Sequence, residues 1–190
     1  MRKLALLLAA ASLFGFFPRQ AQAQFQIFGG YSYARPSVTG SQFVVCPVGV
    51  LPCPPTSFTA HPNLNGWELS GAFNHHWIGV VADFGGNYGS IQGASTHLET
   101  YLFGPQVRLP GPVSPFAHVL LGGAHESIGS NLTVVPSSSN AFAAAVGAGI
   151  DIKVAPFLSL RAIQLDYLVT RFGSSTQNQP RASAGLVLHF

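Results

Sequence analysis

The ten residues Arg181–Phe190 read RASAGLVLHF, and their pattern decides the fold. Every second residue from Ala182 to Phe190 is apolar, whereas the residues between them are mixed and partly polar. Because successive side chains of a strand point to opposite faces, this alternation predicts a β-strand with one apolar face. The strand ends at an aromatic ring, where most soluble chains have a polar and frayed tail.

The start of the chain has the parts of a secretory signal peptide. Two basic residues, an apolar stretch and a small-residue motif follow one another there. We expect cleavage between Ala23 and Gln24, which makes 1–23 the signal peptide and 24–190 a single domain. The apolar stretch, 4–17, is too short to span a bilayer as a retained anchor.

The charged residues are too few for a water-exposed surface. The chain has nine basic and six acidic residues, and three of the bases precede Gln24. The remaining 167 residues therefore carry six charges of each sign and no net charge. This fraction is far below the roughly 25% of soluble domains, so most of the surface faces another solvent. The balance gives no reason to expect a nucleic-acid partner.

The apolar stretches after Gln24 are too short for membrane-spanning helices. The longest of them, 141–150, stops at Asp151, whereas a spanning helix needs roughly 18 or more apolar residues. A lipid-facing chain without such helices can satisfy its backbone polar groups only as a closed barrel. Composition and length therefore predict a transmembrane β-barrel.

Alternation along 24–190 predicts an all-β, eight-stranded antiparallel up-and-down transmembrane β-barrel. Short connections alternate with medium or long ones, as periplasmic turns alternate with outer loops when both termini are periplasmic. Aromatic residues fall near the strand ends, where interfacial rings are favoured. The predicted strands are 25–34, 65–74, 77–89, 96–109, 115–125, 141–152, 158–172 and 181–190.

The inward face of the predicted barrel carries ionisable residues. Eight-stranded barrels have interiors just wide enough for side chains, and buried charges there must be paired or solvated. We expect a side-chain-filled polar interior, which His118 and His189 can join; a narrow conduction path is the alternative. The alternation also places Ala162 inside, and Pro105 predicts a bulge. The expected interior network comprises Glu68, Asp83, Arg108, Asp151, Asp166 and Arg181.

Cys46 and Cys53 are the only cysteines, and both lie in the first long connection. In an oxidising compartment, two cysteines so close in sequence are expected to form a disulfide. The disulfide would make a rigid recognition loop, or it would only limit proteolysis, and the sequence leaves both open. The spacing does not match a zinc or redox motif.

The final strand resembles the terminal strand of bacterial outer-membrane β-barrels, in which a closing Phe, alternate apolar residues and a central Gly form the assembly signal. The chain from Gln24 onward is similar to the eight-stranded OmpA/OmpX-type proteins. This resemblance implies the outer membrane of a bacterium with a two-membrane envelope, contact with its lipid, and assembly by the barrel-assembly machinery through the C-terminal strand. The residues that match the signal are Gly185, Leu186, Leu188 and Phe190.

One short motif is typical of an enzyme. His125-Glu126-Ser127 has the His-x-Ser spacing of outer-membrane lipid A deacylases. Those enzymes also use a Glu, and no Glu follows Ser127. The pair therefore lacks the third group that orients a catalytic base. The other histidines show no metal-ligand spacing. We expect no enzyme activity, no metal and no cofactor.

The function predicted from the sequence is that of a monomeric, non-catalytic outer-membrane barrel whose surface loops have structural or interaction roles. A small pore or transport protein is the main alternative. A lipid-modifying hydrolase and a soluble lipocalin-like binding barrel are less favoured, the latter because the charges cannot cover a water-exposed exterior. The sequence does not specify a ligand or an extracellular partner.

Deleting Phe190 should lower the amount of protein assembled in the outer membrane, because the resemblance makes this terminal ring part of the assembly signal. The measurement is the amount of heat-modifiable protein in outer-membrane fractions. A Phe190→Tyr variant, which keeps an aromatic ring, serves as the control. Normal outer-membrane levels of the truncated chain would refute this role.

Overall fold

The structure is a computed structural model that describes residues 23–42, 56–91, 94–129, 137–172 and 175–190. Nearly all of these residues are in β-strands. No helix in these ranges is long and apolar enough to cross a membrane. The strands are β1 (Ala23–Ala34), β2 (Val38–Gln42), β3 (Thr56–Ala60), β4 (Leu64–His75), β5 (Ile78–Ile91), β6 (Ala94–Arg108), β7 (Val113–Ile128), β8 (Ser137–Ala155), β9 (Leu158–Phe172) and β10 (Ser175–His189).

Two predictions fall mainly outside the described residues. The signal peptide lies there except for Ala23, which is the first residue of β1 and pairs with His75 of β4. Cys46 and Cys53 lie there entirely. Cleavage after Ala23 and the disulfide therefore stay predictions.

Eight of the strands form one closed antiparallel barrel. The order around it is β1, β4, β5, β6, β7, β8, β9 and β10, and β10 pairs again with β1. The strands β2 and β3 form a separate two-stranded sheet in the first outer connection. The predicted eight-stranded up-and-down barrel is confirmed.

The barrel strands run further outward than the alternation indicated. β5 and β6 reach Ile91 and Ala94, and β10 already begins at Ser175, whereas β9 ends at Phe172 as predicted. The two medium connections predicted there are therefore mainly strand. The strands remain hydrogen-bonded beyond the lipid-facing belt. Their outward residues need not be apolar there, so the sequence alternation no longer shows the strand.

The outward face of the barrel is apolar and exposed. Val146 and Leu165 are 56% and 55% exposed, whereas their sequence neighbours Ala145 and Asp166 are buried. β6 alternates between buried and exposed residues along nearly its whole length. An exposed apolar surface around a closed barrel is the surface that faces lipid.

The short turns lie at the same end of the barrel as the start of β1 and the C-terminal residue Phe190. The Phe190 N–H donates to the Phe25 carbonyl oxygen at 2.9 Å. The turn between β4 and β5 includes His76, whose φ of 59° is in the left-handed region that tight hairpin turns use. The N–H of Lys153 donates to the Pro112 carbonyl oxygen at 2.8 Å and joins the end of β8 to the turn between β6 and β7. This short-turn end is the periplasmic end of such barrels.

Hydrogen-bonded aromatic residues lie toward the opposite, outer end. Tyr31 donates to Asn65, and the Tyr33 hydroxyl donates to Asn63 Oδ1 at 2.7 Å. All four residues are exposed. Tyrosine rings with a polar partner are typical of the boundary between lipid and water.

A β-bulge in β9 corrects one predicted facing. Ile150 pairs with Ile163 and Asp151 pairs with Arg161, so Ala162 is an extra residue in β9. Ala162 was predicted inside and is instead exposed, while Arg161 is buried. A bulge reverses the alternation from that point on, so Arg161 enters the interior.

The predicted bulge at Pro105 is wrong. Pro105 pairs with Val80 of β5, and the ladders on both sides of β6 keep their register. Phe103 and Gln106 pair with β7, whereas the two residues between them do not. The missing N–H of proline therefore interrupts the ladder without adding a residue.

Replacing Leu165, the central residue of β9, with Arg should lower the free energy of unfolding by roughly 2–4 kcal/mol, the cost of arginine deep in the lipid-facing belt. Val154→Arg is the control, because Val154 lies beside the periplasmic turn and should cost only about 0–1 kcal/mol. The measurement is denaturant unfolding from lipid vesicles. Equal effects of the two substitutions on the free energy of unfolding would contradict the assignment of Leu165 to the middle of the lipid-facing belt.

Candidate functional site

Near the periplasmic end, two arginines bind one carboxylate inside the barrel. Arg108 Nη1 lies 2.5 Å from Asp151 Oδ2, and Arg161 Nε lies 2.8 Å from Asp151 Oδ1. Arg108 also donates to Gln26 Oε1 at 3.1 Å. All four side chains are buried. The ion pairs therefore compensate for the hydration that the charged groups lose on burial. We call Arg108, Asp151 and Arg161 the periplasmic cluster.

Two aromatic rings pack against Arg161. Its guanidinium carbon lies 4.2 Å from the ring centre of Phe28 and 4.3 Å from that of Phe116. Such cation–π contacts stabilise a charge that has left water. Gly149 leaves the space for the Phe116 ring, because a Cβ at Gly149 would lie 2.6 Å from its edge.

Further from the periplasmic end, one arginine binds three carboxylates. Arg181 Nη2 lies 2.8 Å from Asp166 Oδ2 and 3.0 Å from Asp83 Oδ1, and Arg181 Nε lies 3.5 Å from Glu68 Oε2. Arg181 is only 2% exposed. The Ser183 hydroxyl donates to Glu68. We call Glu68, Asp83, Asp166 and Arg181 the central cluster.

His118 joins the central cluster from β7. Its Nε2 lies 2.8 Å from Asp166 Oδ1. Gly147 leaves the space for this contact, because a Cβ on Gly147 would lie 1.8 Å from the same carboxylate oxygen. The histidine and the carboxylate can therefore meet only where the neighbouring strand has no side chain.

Gln164 connects the two clusters. Arg161 Nη1 donates to Gln164 Oε1 at 2.6 Å. The amide nitrogen of Gln164 donates to Glu68 Oε1 at 2.7 Å and to Asp166 Oδ2 at 2.8 Å. The amide thus presents its oxygen to a cation and its hydrogens to two anions, and the polar interior is one continuous network.

The structure brings together all six ionisable residues expected in the interior. His118 joins them, whereas His189 lies near the periplasmic end and contacts Ser159 Oγ at 2.7 Å. Sequence reasoning missed Arg161, because the bulge at Ala162 hides it from a simple alternation. Nothing in the sequence indicated that Gln164 connects two clusters.

Toward the outer end, the interior contains buried leucines beside buried polar side chains such as Thr100, Thr170 and Gln179. Leu120 follows His118 along β7 and Leu168 follows Asp166 along β9, and both leucines are 0% exposed. The ionisable part of the expected polar filling is therefore nearer the periplasm, and leucines are mixed with uncharged polar residues beyond it. Leu120 is inside and Leu121 is outside, so leucines on both faces weaken the apolar alternation of β7 in the sequence. We call the buried leucines of this region the leucine layer: Leu64, Leu98, Leu102, Leu120 and Leu168.

A cavity of about 480 Å³ opens at the periplasmic end of the barrel. Its lining includes Arg108, Lys153, Ser159 and His189. Arg108 also binds the fully buried Asp151, so the periplasmic cluster forms part of the cavity wall. The cavity gives water access to the mouth of the barrel and to one side of this cluster.

The His-x-Ser motif lies on the outward face of β7, near its outer end. His125 Nδ1 lies 2.8 Å from Asn140 Oδ1 of β8. The other ring nitrogen, Nε2, lies 3.4 Å from the Ser138 hydroxyl. Neither Asn140 nor Ser138 was a candidate from the sequence, because both are on another strand. Among the described residues, no group of three His, Cys, Asp or Glu side chains could hold a metal ion.

Comparison with known proteins finds similarity in structure only. No protein-family model matches the sequence, and no curated protein matches it. Neisserial surface protein A (NspA) is similar with a TM-score of 0.58 and 13% identity over 90% of this chain and 98% of that one. The attachment invasion locus protein Ail of Yersinia pestis gives 0.55 and 16% over 87% and 99%. The N-terminal β-barrel domain of Pseudomonas aeruginosa OprF gives 0.51 and 12% over 89% and 98%.

These similar proteins are eight-stranded outer-membrane β-barrels, and at such low identity the likeness shows the fold. The closed barrel, its apolar outward belt and its filled interior define the same class of protein here. The chain has the eight-stranded barrel fold of these bacterial outer-membrane proteins, as its terminal strand indicated.

Arg181→Met should lower the free energy of unfolding by about 3–5 kcal/mol, because it leaves three buried carboxylates without their shared cation. Adding Asp83→Asn to this variant should recover part of the loss, since one uncompensated charge disappears. Arg171→Met, at an exposed arginine of β9, should stay within about 0.5 kcal/mol of wild type. Denaturant unfolding in vesicles measures all three.

Proposed function

We propose that the protein is a closed, non-conducting barrel that acts through its outer surface, in a structural or interaction role. The observation that supports this most is the filling of the interior. The periplasmic cluster, Gln164 and the central cluster occupy it in succession, and the leucine layer lies beyond them.

An ion crossing this interior would meet two separate obstacles. It would first have to displace buried side chains from ion pairs that have no water to replace their partners. It would then have to pass the tightly buried leucine layer, where only uncharged groups such as those of Thr100 and Gln179 lie beside leucines and no charge replaces its hydration shell. The obstacles lie in series along the barrel, so loosening one of them leaves the other in place.

The outer connections are the remaining surface on which a partner can act. One structure of the similar protein Ail contains a heparin analogue, sucrose octasulfate. A sulfated ligand requires clustered bases, and residues 43–55 of this chain include no charged residue. We infer a partner with an apolar contact surface, for which the predicted Cys46–Cys53 disulfide would hold this proline-rich connection.

We also propose that β10 carries the signal for the barrel-assembly machinery. Leu186, Leu188 and Phe190 are 53%, 41% and 50% exposed, so an assembly factor could read these three side chains from outside the barrel. The same strand closes the barrel against β1. Recognition by the assembly machinery and closure of the barrel against β1 would then involve the same stretch, 181–190.

A small pore is the second candidate, and the cavity at the periplasmic end favours it. Lys153 and Arg108 give that mouth a positive lining. A path to the outer end would still have to open through both clusters and the leucine layer.

Conductance in planar bilayers separates the two candidates. The purified wild-type barrel should show no steady openings, and Glu68→Ala should also remain silent, because the leucine layer stays in place. Heat modifiability on unboiled gels checks that each protein is folded. Steady wild-type openings that Glu68→Ala alters would contradict the closed barrel and support the pore.

A further inference from the structure

Three polar side chains form a hydrogen-bonded series on the outward face of the barrel. Asn140 Oδ1 lies 2.8 Å from His125 Nδ1, and the Ser138 hydroxyl lies 3.4 Å from His125 Nε2. The ladder between β7 and β8 places them together, because Asn140 is the register partner of His125. All three are at least partly exposed, so a ligand can reach them.

The contact with Asn140 orients the imidazole ring. A carbonyl oxygen only accepts hydrogen bonds, so this contact favours the tautomer in which His125 Nδ1 carries the proton and Nε2 has the free lone pair. That lone pair faces the Ser138 hydroxyl. A hydroxyl, a base and a group that orients the base are the three parts of an activated serine nucleophile.

We propose that Ser138, His125 and Asn140 form a hydrolytic site for an acyl ester of a membrane lipid. Ser138 is the nucleophile, His125 is the general base, and Asn140 is a positioning residue that holds the ring. The proposal goes beyond the function proposed above, which concerns the closed interior and the outer connections. It uses none of the residues of the two clusters.

The position of the site favours a lipid ester as the substrate. Two residues along each strand toward the membrane, Phe142 pairs with Gly123. Phe142 is 60% exposed on the same outward face. The Tyr101 ring packs over Gly123, where a Cβ would lie 2.4 Å from its hydroxyl oxygen. Aromatic rings of this kind mark the interface between acyl chains and head groups, and the ester bonds of membrane lipids lie at that depth.

The reaction follows from the three groups. Ser138 Oγ attacks the acyl carbon while its proton moves to His125 Nε2, and the lipid alcohol then leaves with that proton. Water attacks the acyl-serine ester in the second half, giving one proton to His125, which returns it to Ser138 as the fatty acid is released. The ester and one water are consumed, and an alcohol and a fatty acid are formed.

The His-x-Ser motif of the sequence contains a different serine, Ser127. Ser127 is two residues from His125, but the hydroxyl in contact with the ring belongs to Ser138, the register partner of Ser127. The missing Glu is likewise replaced by the amide oxygen of Asn140. A serine contact of 3.4 Å is loose, as the nucleophile–base contact often is before substrate binds.

The test uses the protein purified from outer membranes and two separate substrates. One arm measures fatty-acid release from phosphatidylethanolamine vesicles, and the other measures release from lipopolysaccharide, so the two lipid sources are distinguished. A fluorophosphonate probe followed by mass spectrometry identifies the modified serine. We expect release in one arm and labelling at Ser138.

The variants separate a nucleophile from a structural contact. Ser138→Ala and His125→Gln should lower the rate by roughly 10²-fold or more and abolish labelling. Ser139→Ala, one residue along β8, should keep the wild-type rate. Asn140→Ala should slow release and labelling, whereas Asn140→Asp should restore them, because a carboxylate oxygen also accepts from Nδ1.

Two results would overturn the proposal, provided that gel mobility shows each barrel to be folded. The first is the absence of both labelling and fatty-acid release in the wild type. The second is a Ser138→Ala variant that keeps the wild-type rate or the label. Neither result would affect the proposal of a closed interior, which conductance tests separately.

Discussion

No backbone polar group can remain unpaired in the hydrocarbon of a membrane, and closure of the strand ladder is the constraint on which the rest of this structure depends. β1 provides the closure, since it pairs with β4 over 12 residues and with β10 over nine. The strands approach closely at Gly185, where a Cβ would lie 2.3 Å from the Gly29 carbonyl oxygen. A side chain at this position would push the two strands apart.

Closure at eight strands fixes how much space remains inside. Two large side chains enter where a register partner has none: Phe116 lies opposite Gly149, and His118 lies opposite Gly147. Water has little room beside them, so the arginines and carboxylates must satisfy one another. The ion-pair network is thus a consequence of the barrel's narrowness, and the glycines decide where its members meet.

The sequence predicts the strands, their faces and the six interior charges, because lipid on one side and a narrow interior on the other impose a strict period of two. It fails where that period breaks or where the partner is distant in sequence. Arg161 is hidden by the bulge at Ala162. The leucine layer has no sequence signal, since a leucine suits either face. Asn140 lies 15 residues from His125, and only the β7–β8 register brings them together.

The orientation of Gln164 has an electrical consequence. Its amide oxygen faces the periplasmic cluster, in which two arginines meet one aspartate, and its amide nitrogen faces the central cluster, in which one arginine meets three carboxylates. Positive charge is therefore in excess toward the periplasm and negative charge further out, with the amide aligned between them. The barrel has a permanent dipole along its axis, whose positive pole lies at the cavity beside Arg108 and Lys153 and draws anions toward that mouth.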